Sequence, residues 1–345
     1  MINSPVHHLG SPTHVGPLSV FPIWTDAPVP RRATRATLPK GATIDEMSGG
    51  SQVERLSLAN PTDKAFLLPG GSVFDGGWQH RVLVHGVLVD AFTDLELDVR
   101  CVEAGRWRGE GRQRLHQRRA PLAVRGALHG IRHDRPAPRS PGYSPRHTEH
   151  LDPRTGYTHP RSDDDFRIST AHSDDQFGYG DVAFADVANQ ADVWSRVTRY
   201  ERTMGASPSS SLVEVADKLD DQADGILERL PLLSGQRGVL IGIGGHPVVM
   251  EVFDHPRTLA RQWEGIVTGV LADAALVPAR PTPGHRARRF AARASARHLD
   301  PWAQAGSALA VGAGDDLIVA DGVATPDRLI HLSVLNVRHE LVGAA

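Results

Sequence analysis

From Asp94 to Cys101 the chain alternates without exception: Leu95, Leu97, Val99 and Cys101 share one parity, and Glu96, Asp98 and Arg100 share the other. Successive side chains of a strand point to opposite faces, so this run predicts a strand with one face buried and the other in water. Such half-buried strands belong to antiparallel sheets, because parallel sheets bury both faces. The neighbouring text agrees. PLSVFPIW (17–24) reads as a short strand, and VERLSLANPTDKAFLLPGG (53–71) as strand, Asn-Pro-Thr-Asp turn and strand. RVLVHGVLVDAF (81–92) is apolar at both parities and predicts a strand covered on both faces.

Helical spacing takes over in the second half. A helix is expected over about 186–204, with Trp194 and Val197 on one face. Ser211 followed by Glu214 is a capping-box pattern, and Leu212, Val215, Ala216, Leu219, Ile226, Leu227 and Leu230 form one stripe behind it. GVLIGIGGHPVVMEVF (238–253) predicts a hairpin about Gly244-Gly245. Asp254 and Pro256 announce a helix striped by Leu259, Trp263, Ile266, Val267, Val270, Leu271 and Ala274. A basic, Ala-rich helix over 284–298 and a strand at RLIHLSVLNV (328–337) complete the reading. Strands first and helices later predict an α+β fold, with an antiparallel β-rich N-terminal half and a helix–hairpin–helix C-terminal half packed on it. Residues 1–14 are expected to be loose. Residues 128–180, rich in Pro, Arg, His and Asp, are expected to form a disordered loop interrupting a single domain over 15–338.

Composition narrows the function classes. The 38 basic and 40 acidic residues leave a net charge of −2, so a nucleic-acid partner is not expected. One cysteine, Cys101, excludes an intrachain disulfide and a multi-cysteine metal site. No apolar run approaches the roughly 18–20 residues that span a bilayer, and MINSPVHHLGSPTH has no apolar leader core. The expectation is a cytoplasmic protein without a membrane partner.

Several segments, in shared order, resemble the ARG and rhodanese-phosphatase-superfamily-associated protein domain, a bacterial family of unknown function. They are GPLSVFPI, ATIDEM, VERLSLANPTDKAFLLPGG, QHR at 79–81, DVRCVEAGRW, DVWSRV, GVLIGIGGHPVVMEVFD, WEGIVTGVLADAAL and RLIHLSVLNV. The resemblance covers most of 14–338 outside the long loop. It implies work around NAD and ADP-ribose metabolism, beside ADP-ribosylglycohydrolases and phosphatase-like enzymes, and no established reaction. One stretch departs from the family. Where relatives carry approximately Gly-Glu-Glu-Leu-x-Gly-Ala-Lys-Gln-Asn-Arg, this chain has GGSVFDGGWQHR. The acidic pair becomes Ser72 and Val73, the lysine Trp78 and the asparagine His80, with Asp75 two residues from the nearer acidic position. Loss of those acids favours binding over catalysis.

Two clusters carry the functional expectations. In the first, Gln79, His80 and Arg81 follow a Gly-Gly turn; the turn amides suit an anion nest and Arg81 suits bidentate phosphate binding. The alternative is a turn shaped for chain reversal, with Arg81 paired to an acid. In the second, Cys101 shares the buried parity and reads as core, and Glu103 keeps that parity at the strand end, where an inward carboxylate needs a partner. Arg106 is the near candidate, in a structural ion pair or a ligand site, and Trp107 caps the core or stacks on a base. The predicted ligand-binding set is Gln79, Arg81, Arg106 and Trp107. Glu103 or Glu251 would be the general base if the protein is a hydrolase or transferase on ADP-ribose-type substrates. The third reading is a structural or interaction module without a ligand. No cofactor and no metal is assigned, and the ligand, if any, is a nucleotide or ADP-ribose-like molecule.

Other features read more plainly. GIGGHP fails as a dinucleotide fingerprint, because Pro247 stands where a glycine is needed and a strand follows it. His129, His133, His147, His150, His159 and His172 show no metal-ligand spacing, and the aspartates of 163–165 and 174–175 read as solvated charge. Arg286, Arg288, Arg289, Arg293 and Arg297 form a basic run suited to a solvated arm or an acidic partner.

Overall fold

A computed structural model describes residues 2–48, 52–105, 109, 111–130, 150–151, 158–159, 190–205 and 210–343. In chain order the first strands are β1 (Ile2–Asn3), β2 (His7–Leu9), β3 (Thr13–Val15), β4 (Leu18–Thr25), β5 (Thr43–Asp45), β6 (Arg55–Asn60) and β7 (Phe66–Leu68). They continue with β8 (Ser72–Gly76), β9 (Arg81–Leu83), β10 (Val87–Val89), β11 (Thr93–Cys101) and β12 (Arg112–Arg119). Helix α1 (Leu122–Leu128), the short pair β13 (His150–Leu151) and β14 (Thr158–His159), α2 (Gln190–Met204), α3 (Leu212–Asp217) and α4 (Asp220–Leu227) follow. The remainder is β15 (Gly238–Ile243), β16 (His246–Phe253), α5 (Pro256–Gly269), α6 (Leu271–Ala274), α7 (Gly284–Ser295), β17 (His298–Ala305), β18 (Ala308–Gly314), β19 (Ile318–Thr325), β20 (Arg328–Asn336) and α8 (Glu340–Gly343).

These strands build two main bodies. One is a ten-stranded antiparallel sheet in the order β1-β17-β18-β19-β20-β16-β15-β4-β2, with β3 also on β4. The other is a closed barrel, β11-β6-β5-β12-β8-β9. Alternation explains how the sheet is covered. Val239, Ile241, Val249 and Phe253 face a core shared with α1, α2, α3 and α5, whereas Leu240, Met250, Leu332 and Val334 face Phe290, Ala291 and Ala294 of α7. The barrel has its own apolar filling of Ile44, Leu56, Leu58, Phe74, Leu83, Leu97 and Val99. Pro22 is tolerated inside β4 because β3 pairs with 18–20 and β2 with 23–25; the missing N–H falls at the jog, where the Gly10 N–H donates to the Pro22 carbonyl at 2.9 Å.

The mixed class and the antiparallel pairing match the sequence reading, and several details differ. Of residues 1–14, expected to be loose, the described part, 2–14, supplies β1, β2 and most of β3. RVLVHGVLVDAF breaks into β9 and β10 at His85-Gly86, and the long helical stripe breaks into α3 and α4. The C-terminal half is more than helix–hairpin–helix, since β17 to β20 form a four-stranded meander there. β18 and β19 are rich in Ala and Gly and carry little alternation to read. The cap of α5 is His255, whose ring accepts the Arg257 N–H at 2.9 Å; Asp254 instead accepts from the Thr34 hydroxyl at 2.8 Å. Most of 128–180 lies outside the described residues. No helix among the described residues is long and apolar enough to cross a membrane.

The N-terminal strand has one pH-sensitive anchor. His7 Nδ1 lies 2.7 Å from the Ser295 hydroxyl of α7, and burial lowers its pKa from 6.5 to about 4. The folded state therefore holds a neutral imidazole that the unfolded chain would protonate. This contribution is complete above pH 6.5 and disappears as pH falls from 6.5 to about 4, by about 3 kcal/mol at most. Urea denaturation at pH 7.5 and 4.5 should show a smaller acid loss in His7→Gln than in the wild type. Equal losses would mean that another group sets the acid limit.

Candidate functional site

The barrel filling changes character at one end. Arg81 is two residues before Leu83 on β9, Cys101 two after Val99 on β11, and Gln113 two before Leu115 on β12, so all three keep the inward parity of an apolar neighbour. Arg81 pairs across the ladder with both Phe74 and Cys101, and Gln113 with Ile44 and Gly76. The result is a polar layer closing an apolar barrel. Gln113 Nε2 donates to Glu46 Oε1 and to the Gln79 carbonyl, each at 3.0 Å, and Arg81 Nη2 is 3.9 Å from Glu46 Oε2. The glycine turn is shaped for this packing. A Cβ on Gly77, which sits at φ +55°, would lie 1.9 Å from Gln113 Nε2. The turn amide of Trp78 donates to Glu46 Oε1 at 3.0 Å, so an internal carboxylate occupies it.

Glu103 joins this layer from the end of β11. Its carbonyl accepts from Gln79 Nε2 at 3.0 Å, and its Oε2 accepts the His80 N–H at 3.0 Å. His80 Nδ1 is 2.8 Å from Ser211 Oγ and 3.5 Å from Glu103 Oε2. Hydroxyl and carboxylate thus approach the same ring nitrogen. A nucleophile–base–acid relay needs them on opposite nitrogens. Ser211 also caps α3 by accepting the Glu214 N–H at 3.4 Å, as the capping-box pattern predicts. Cys101 is fully buried, its Sγ donates to the Glu103 carbonyl at 3.0 Å, and burial pushes its thiol pKa up. A protonated thiol is a poor nucleophile.

Gln79, Arg81 and Glu103 therefore meet, each no more than 1% exposed. Arg106 and Trp107 lie outside the described residues. Glu251 lies elsewhere, on β16, facing α1 and β12. Its Oε1 is 2.5 Å from Arg125 Nη2 and 3.6 Å from Arg119 Nη2, and its Oε2 accepts from His331 Nε2 at 2.6 Å. Arg125 also donates to Ser333 Oγ at 2.6 Å. Burial alone would raise the Glu251 pKa, but Arg125, then Arg119, then His331 outweigh it and hold the carboxyl well below the usual range. Such a carboxylate is a weak base with its lone pairs already engaged. Beyond it, Asp321 Oδ1 lies 3.1 Å from His85 Nδ1, tying the β9–β10 link to the sheet.

Ser72 and Val73, where the resemblance leads us to expect an acidic pair, do not line the polar layer. Ser72 Oγ donates to the Pro69 carbonyl at 2.6 Å, and Val73 packs in the core shared with the helices. Asp75 is 3.5 Å from Arg114. Sequence reasoning missed Glu46, although ATIDEM was recognised, and it missed Gln113. Polar β12, RQRLHQRR, has no apolar alternation to announce a strand.

The model of the ARG and Rhodanese-Phosphatase-superfamily-associated Protein domain matches residues 6–335. The chain belongs to this family. The matched range includes strands of both the barrel and the sheet. The family name records an association with ARG and rhodanese-phosphatase superfamily proteins. No curated protein and no solved structure matches the chain significantly.

Proposed function

We propose that this protein is a ligand-binding accessory protein of nucleotide or ADP-ribose metabolism, and that the polar end of its barrel holds a ribose–phosphate-like group. One observation carries the reading. Among the described residues Glu46 Oε2, Gln79 Oε1, Gln113 Oε1, Arg81 Nε and Arg81 Nη2 are all buried without a hydrogen-bond partner, Arg81 Nη2 and Glu46 Oε2 standing 3.9 Å apart as a long ion pair. Each such atom costs about 1–3 kcal/mol. Three are acceptors and two are cationic donors. A partner offering hydroxyl hydrogens and anionic oxygens together answers both, and a phosphorylated ribose is such a group. The layer is sealed from solvent, so entry requires the barrel end to part near Trp78, which is 38% exposed. The same features favour binding over hydrolysis. The His80 contacts do not form a relay, and Glu251 is a neutralised, weakly basic carboxylate.

Thermal unfolding with ADP-ribose, NAD, ribose 5-phosphate and inorganic phosphate tests this reading. A ligand present at about a hundred times its Kd adds about 3 kcal/mol and raises the melting temperature by several degrees. Arg81→Lys keeps the charge but loses the planar fork, and should abolish most of the shift. Gln113→Met is the companion variant should Arg81→Lys fold poorly. If no compound moves the transition, or if a shift survives both substitutions, this reading fails.

A further inference from the structure

Helix α7 carries the basic run except Arg297, which follows its C-cap, and the structure divides that run. Arg293 contacts Asp315 at 2.8 Å and Asp316 at 2.7 Å, and Arg297 also pairs with Asp315. Arg286 donates to the Gly245 carbonyl at 2.8 Å. Those three are structural. Arg288 and Arg289 are exposed and have no carboxylate partner among the described residues. Arg288 stands on the rim of a groove of about 580 Å³ between α7 and β2. Its apolar lining is Val6, Leu9, Ala292 and Ala296, and Val6 is 49% exposed. Asp26 is the acid close to this rim, and its Oδ1 accepts the Val6 N–H at 3.0 Å.

We infer that this groove binds an acidic segment of a partner protein, with a carboxylate on Arg288 and an apolar side chain set between Val6 and Ala292. The volume lies in the range of roughly 300–1,000 Å³ typical of ligand pockets. A cation without a carboxylate partner among the described residues, set beside apolar surface, matches an acidic residue next to an aliphatic one, because each group then has its own complement. The groove suits other anionic partners less well. A nucleic-acid face needs several phosphate contacts and usually stacking rings, whereas this one offers a single arginine, Arg288, and no Phe, Tyr or Trp in the lining. A membrane face presents its apolar residues outward, whereas here they line a recess.

The test is fluorescence anisotropy with the full chain and a labelled twelve-residue peptide of alternating Glu and Leu. Salt should weaken binding, and replacing the peptide leucines by serine should weaken it about fivefold. Arg288→Glu should weaken it about tenfold. Because Arg288 is exposed, this variant should keep the wild-type melting temperature. Val6→Ser gives an independent check on the apolar wall. The inference is overturned by a flat titration, by equal affinity for the serine peptide, by an Arg288→Glu protein that binds as before, or by tighter binding to single-stranded DNA or phosphatidylserine vesicles. None of these outcomes touches the barrel end, so this surface and the ribose–phosphate reading stand or fall separately.

Discussion

Glu251→Gln should lose about 3–5 kcal/mol of stability, the range found when one partner of a buried ion pair is removed. The substitution keeps the volume and removes the charge that neutralises Arg119 and Arg125. In the wild type burial lowers the Arg119 pKa and Glu251 offsets part of that, leaving it at about 10; the guanidinium is intrinsically so basic that it is expected to stay cationic at neutral pH without Glu251. Two guanidiniums would then share a dry site with no carboxylate between them. Domain stabilities run about 5–15 kcal/mol, so the variant should sit at the edge of folding. Urea denaturation followed by circular dichroism measures the loss. Glu251→Gln with Arg125→Met should recover part of it, because replacing a whole buried pair by apolar groups is far cheaper than breaking it. A loss under about 1 kcal/mol in the single variant would show that the network is already hydrated and would return Glu251 to the list of reactive carboxylates.

The second large effect is geometric. Gly265 lies where α5 crosses β12, and a Cβ there would stand 2.3 Å from the Gln117 carbonyl oxygen. The obstacle is backbone in a barrel strand, so no side-chain rotation relieves it. Gly265→Ala should therefore cost about 2–3 kcal/mol or more through overpacking. Gly225 in α4 is the contrast, since its Cβ would meet nothing within 4 Å. Gly225→Ala should raise stability by about 0.5–1 kcal/mol through helix propensity. Opposite shifts of the two denaturation midpoints check the pair. Loss in both would mean that α4 needs glycine for a reason other than space.

What the sequence revealed and what it hid follow from how each element is stabilised. β11 was legible because one face is water and the other is core, so its two faces need different residues. The β15–β16 hairpin was legible because Gly244-Gly245 marks its turn. β12 was not, because its residues answer to polar neighbours at the barrel end and to Glu251 rather than to an apolar face. β18 and β19 were hidden by small residues, and β17, HLDPWAQA, by a proline and a lack of apolar alternation. At the site, the meeting of Gln79, Arg81 and Glu103 was posed as a question from two motifs 20-odd residues apart. Glu46 and Gln113, which complete the layer, are brought to it by barrel closure, and closure is a long-range property that no local pattern records. Glu251 sat within a predicted strand, yet its arginine partners come from β12 and α1, more than 120 positions earlier.

The two bodies also differ in how far the chain must travel to make them. Every barrel strand comes from residues 43–119, so that body can assemble from near neighbours. The large sheet cannot. β4, at 18–25, is wedged between β2 and β15, and β15 begins at residue 238. Joining them closes a loop of over 200 residues, and pairings of such separation are slow to form. An emerging polypeptide would therefore carry a finished barrel while its β4 edge still waited for the hairpin, open to any stray strand that reached it first.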